Sequence, residues 1–181
     1  MPWNFALPNA FGHDINRTEN IMTKTLNAGD LIDMMGARFE MVTRMGSGQR
    51  DAVLFRTRMA PGKLVPLHSH IDPECFYVLA GRLEVFLVHE ASKWRWVETG
   101  QSLLIENGIK HAVRNPTEQA TDLILATNNR FASFLAEAGR KAAPNTGFSP
   151  PSPEDIQRMT RASEAYGYWN ASPAESAAIT G

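Results

Sequence analysis

The chain has 181 residues, 43% of them hydrophobic and 20% charged, with a formal net charge of −1. That length suits one domain with a sizeable core, and the composition excludes a globally disordered chain. Near-neutral charge offers no footprint for nucleic acid or an anionic membrane, and no apolar run nears the roughly 18 residues that span a bilayer.

Residues 1–20 have no cationic start followed by an apolar stretch, so no signal peptide is expected. Met22 is an alternative start. Trp3, Phe5, Leu7 and Phe11 are scattered without a period, and residues 1–36 read as an N-terminal arm. Cys75 is the single cysteine, which rules out an intrachain disulfide and points to a reducing cytoplasm.

From residue 38 the pattern is short and strand-like. Candidate strands cover 38–43, 52–59, 67–70, 74–79, 83–88, 94–97, 102–106, 111–115 and 122–127. Turn signals separate them at Gly46-Ser47-Gly48, Pro61-Gly62 and Asn107-Gly108. The spacing is that of an all-β sandwich or barrel, not of alternating strands and helices. On strand 52–59, Val53, Phe55, Thr57 and Met59 share one face, and Leu54, Arg56 and Arg58 the other. Trp94 and Trp96 share a face suited to core or interface packing.

The last third is helical. Phe131, Phe134, Leu135 and Ala138 form an apolar stripe that Gly139 is placed to end. It either covers one end of the barrel or seals the core. Residues 143–153 read as an extended connector, and Ser152-Pro153-Glu154-Asp155 as a helix start. Ile156, Met159, Ser163 and Tyr166 would share one face of that helix. The domain plan is therefore an arm (1–36), a β-barrel (37–128), a helical extension (129–170) and a flexible tail (171–181).

Three of only five histidines carry the chemistry. His68 and His70 are two apart, so on a strand their rings share a face. Glu74 follows after a break at Ile71-Asp72-Pro73, and His111 opens a later strand. Three imidazoles and a carboxylate converging from separate strands suit a divalent first-row metal. Such a site loses affinity below about pH 6.5, because imidazoles bind metal only when neutral. His13 and His89 read as solvated surface residues.

These residues resemble the cupin superfamily. Its first motif, G-x5-H-x-H-x3-E-x6-G, is met by Gly62, His68, His70, Glu74 and Gly81. Its second, G-x5-P-x-G-x2-H-x3-N, is met by Gly100, Gly108, His111 and Asn115, with Glu106 in place of the proline. The resemblance implies a double-stranded β-helix, or jelly-roll, barrel holding one iron, manganese, nickel, cobalt, copper or zinc ion on His68, His70, Glu74 and His111. Length and helical tail look most like small bacterial cupins akin to quercetin 2,3-dioxygenase. That likeness implies an oxidoreductase acting on a small aromatic or enolic substrate, with Glu74 as both ligand and catalytic base. The alternatives are a non-oxidative isomerase or lyase, and a non-catalytic cupin that binds a metal or small molecule. Phe55, Phe76, Val78, Phe131 and Phe134 are the candidate substrate pocket. Expected partners are a small-molecule substrate and a second copy in a homodimer, with no nucleic acid or membrane.

Overall fold

In the computed structural model the described residues are 24–46, 51–88 and 93–179. Met22, His13, His89, the aromatic residues of the arm and the Ser47-Gly48 part of one turn lie outside them.

Ten strands precede the first helix: β1 (Leu31–Met34), β2 (Ala37–Met45), β3 (Ala52–Met59), β4 (Lys63–Ser69), β5 (Glu74–Ala80), β6 (Arg82–Leu87), β7 (Trp94–Glu98), β8 (Ser102–Ile105), β9 (His111–Asn115) and β10 (Thr121–Thr127). Then come α1 (Asn129–Ala138), β11 (Arg140–Lys141), α2 (Pro153–Ala165), β12 (Trp169–Asn170) and α3 (Pro173–Ala178). One sheet runs β11-β1-β2-β3-β10-β5-β8 and the other β12-β4-β9-β6-β7. Every pairing is antiparallel. The fold is the all-β jelly roll expected, with short C-terminal helices.

Alternation decides which face enters the core. Val53, Phe55, Thr57 and Met59 of β3 are buried, while Arg56 and Arg58 are exposed. Phe55, Val78 and Leu125 of the larger sheet meet Leu83, Val85 and Leu87 of the smaller one in a single cluster. Trp96 is exposed under Arg82, and Trp94 lies under Arg114. The tryptophan face thus points outward. Cys75 is half-buried.

The Asn107-Gly108 turn forms, with Gly108 at φ +75°. It does not close a hairpin: β8 pairs with β5 and β9 with β4 and β6, so the turn carries the chain from one sheet to the other. Gly108 N–H donates to the His70 carbonyl at 2.7 Å, which ties this crossing to the histidine strand.

Helix α1 buries Phe131, Phe134, Leu135 and Ala138, as its stripe requires. Gly139 ends it with an extended backbone (φ −85°), not a left-handed one. Space explains the glycine: a Cβ there would lie 2.1 Å from Ile32 Cγ2. Ser152 and Asp155 form a reciprocal capping box on α2. Ile156 is exposed, so the inward face of α2 is Met159, Ala162 and Ser163, with Tyr166 at its end.

Two boundaries differ from the composition reading. The larger sheet begins at Leu31, inside the supposed arm, because β1 pairs with both β2 and β11. Residues 171–179, expected to fray, contain α3, capped by Ser172 and Glu175. The Ile179 carbonyl accepts a hydrogen bond from Trp94 Nε1 at 2.6 Å. No helix among the described residues is long and apolar enough to cross a membrane.

Candidate metal centre

A bulge creates the site. Val65 pairs with Val113 and His68 with His111, so β4 carries one residue more than β9 between these pairs. Pro66, which has no N–H for the ladder, lies in that bulge. Its carbonyl accepts from His68 Nδ1 at 2.8 Å. His70 lies just past β4, and its Nδ1 is 2.9 Å from the Asp72 carbonyl. His111 opens β9, with its Nδ1 2.8 Å from the Ile109 carbonyl.

A carbonyl accepts only from N–H, so each neutral ring carries its proton on Nδ1 and turns a bare Nε2 inward. The three rings offer ligand atoms within 4.8 Å of one another. Glu74, at the start of β5, places Oε2 3.1 Å from His111 Nε2 and 3.7 Å from His70 Nε2. The His70 and His111 Nε2 atoms are buried without a hydrogen bond of good geometry. Lone pairs facing a carboxylate repel unless a cation lies between them. A proton on His111 meets that need, and so does a metal ion. The donor set therefore fits a divalent first-row metal.

The electrostatics agree. Desolvation, then the His111 and His70 imidazoles, pushes His68 down to about 3, although its ring keeps some access to water. Burial likewise lowers His70, against the pull of Glu74. Burial acts to raise Glu74, but His111 and the other imidazoles bring it down to about 2. Burial acts to lower His111, but Glu74 raises it above its usual value.

The cluster opens on a cavity of about 300 Å3. His68, His70, Glu74, Phe76, Phe131 and Phe134 all line it. Phe55 and Val78 do not: they lie deeper, in the inter-sheet core. Alternation fixes their face but not their depth. Four methionines, Met34, Met35, Met59 and Met159, complete much of the wall. None of the described lining residues is lysine or arginine. Glu106 is exposed.

Sequence reasoning missed Tyr168, which lines the cavity and stacks near His70 with ring centroids 4.9 Å apart. It also missed Asp72, whose side chain is completely buried. Asp72 falls in the three-residue spacer before Glu74, so its position next to the site was readable there. Nothing local marks Tyr168. Asn115, the last motif residue, is structural: its Nδ2 donates to the Gln119 carbonyl at 2.8 Å, and its Oδ1 accepts from Thr117 Oγ1 at 2.7 Å.

A small antiparallel jelly roll with inward histidines at the mouth of an apolar cavity is a barrel whose histidines could hold a metal ion. The Cupin domain family matches residues 55–127, which identifies that stretch of the barrel as a cupin domain. No curated protein matches the chain. Among solved structures, an RmlC-like cupin from Shewanella frigidimarina is 16% identical (TM-score 0.45), covering 55% of this chain and 82% of its own. KdgF from Halomonas sp. is 19% identical (TM-score 0.44), covering 52% and 79%. A DMSP lyase structure is 17% identical (TM-score 0.43); the match spans 51% of this chain and about half, 47%, of the lyase chain.

Proposed function

We propose that the protein is a metal-dependent, dioxygenase-like oxidoreductase acting on a small aromatic or enolic molecule. One observation carries this reading: the imidazole cluster and Glu74 open, through His68, His70 and Glu74, on a cavity whose described lining is largely apolar and contains no lysine or arginine. Beyond the ion itself, a phosphorylated or polyanionic substrate would find no lysine or arginine to pair with there. His68, His70, Glu74 and His111 would hold the ion, which supplies Lewis-acid or redox chemistry when bound.

The chain's own residues supply binding and proton handling. Phe76, Phe131 and Phe134 contact the apolar body of the substrate and exclude water. Glu74 is ionised throughout the physiological range. It therefore takes a proton onto its carboxylate only from a hydroxyl that is itself acidified, as an enol or flavonol hydroxyl would be. The same reading takes a reducing cytoplasm as the location and a homodimer as the assembly.

Oxygen-electrode traces with a flavonol, on protein loaded in turn with iron, manganese, cobalt, nickel, copper and zinc, test the reaction. Uptake with at least one metal, lost in Glu74→Gln, is expected. Turnover without uptake would assign the protein to isomerase or lyase chemistry. Ligand binding without any turnover would make it a binding protein.

A further inference from the structure

The segment after α2 touches every strand end that carries an imidazole. Trp169 and Asn170 pair with Ser69 and His68. Ala171 N–H donates to the Leu67 carbonyl at 2.9 Å. Lys110, which precedes His111, places its Nζ 3.8 Å over the Trp169 ring. The Tyr168 ring lies against His70 and against Phe134, and its hydroxyl donates to Asp72 Oδ2.

Asp72 joins these parts. Its Oδ2 also accepts from Arg130 Nη1 at 2.6 Å, and Arg130 in turn donates to the Tyr166 carbonyl. Its Oδ1 is buried without a partner, so the carboxylate's hold rests on Oδ2. Its backbone carbonyl accepts the Nδ1–H of His70. One carboxylate thus ties the first turn of α1, the segment after α2 and the carbonyl that aims His70. Partners of this kind fix the tautomer and direction of a metal-binding imidazole.

We propose that residues 166–171 are a working part of the metal centre, and that Asp72 and Tyr168 are positioning residues that keep His70 Nε2 aimed into the cluster. This rests on the metal reading above. Packing alone needs only the Tyr168 ring, which Phe134 and His70 contact. The positioning role needs the hydroxyl.

Cobalt(II) is titrated into metal-free full-length wild type, Tyr168→Phe, Asp72→Asn and His111→Ala against a chromophoric chelator, and the cobalt d–d absorption is recorded. Tyr168→Phe and Asp72→Asn should bind cobalt about tenfold more weakly or worse, with an altered d–d band and an unchanged circular dichroism spectrum. Tyr168→Phe keeps the ring, and it decides the matter if Asp72→Asn does not fold. Affinity within twofold of wild type with a superimposable cobalt spectrum overturns the inference, whatever happens to the thermal midpoint. A wild type that takes up no cobalt, or a His111→Ala variant that binds as wild type does, overturns the metal reading itself and this inference with it.

Discussion

Each imidazole of the cluster is oriented by a carbonyl only two residues away: Pro66 for His68, Asp72 for His70 and Ile109 for His111. The tautomers are therefore set locally, before any ion arrives. At neutral pH the depressed His68 and His70 are already bare. His111, raised by Glu74, holds its proton to higher pH than an ordinary histidine. An entering ion must displace that proton, and competition ends only as pH rises through the raised value. Metal affinity should thus climb as pH rises through that raised value, with up to about one proton released per ion. Calorimetry in buffers of different ionisation enthalpy measures that release; zero release at pH 6.5 would contradict the pairing. Without metal, the signs differ by residue. The depressed histidines contribute no penalty above pH 6.5 and lose stability for the fold below it, and Glu74 adds a loss below 4.5. His111 acts oppositely, its contribution being lost as pH rises. His68→Ala or His111→Ala should lose most bound metal by elemental analysis, because each removes one imidazole nitrogen donor from a set of four.

At the scale of elements, the packing of α1 on β1 offers a clear test. Gly139 is where the helix end meets Ile32, and even a methyl group has no room there. Gly139→Ala should cost about 1–3 kcal/mol by overpacking, read from urea unfolding, with metal content unchanged. A neutral result would mean that β1 shifts freely. The same region shows why some elements were legible in the sequence and others were not. Strands β3, β5 and β10 alternate between buried and less buried positions, and α1 and α2 carry stripes and caps, so each announces itself locally. Two-residue β11 and β12 have no period to read, and exist because a neighbouring edge accepts them. Strand β4 starts at Lys63, earlier than expected, since Pro66 reads as a breaker until the bulge that accommodates it is seen. The four residues of the candidate metal cluster were legible because a fixed spacing encodes them. Tyr168 was not, because it reaches the site through a partner 96 residues away in sequence.

For the molecule as a whole, an ion held by the folded chain and not by the unfolded one adds to stability. An ion at about 100 times its dissociation constant adds about 2.7 kcal/mol. For a chain of this size that raises the thermal midpoint by roughly 5–11 °C. Differential scanning calorimetry with and without metal checks this, and a chelator should reverse the shift. No shift with any first-row ion would count against a folded-state site. The larger sheet leaves Tyr77, Leu79 and Leu104 exposed on its outer face, away from the cavity. Light scattering should give twice the chain mass if the expected homodimer forms.

The strap across the histidines also sets an order of events during synthesis. His111 leaves the ribosome 57 residues before Tyr168. At about 5–20 residues per second, the three imidazoles precede by roughly 3–11 seconds the segment proposed to steady His70. An ion taken up in that interval would be bound before residues 166–171 pack against His68 and His70.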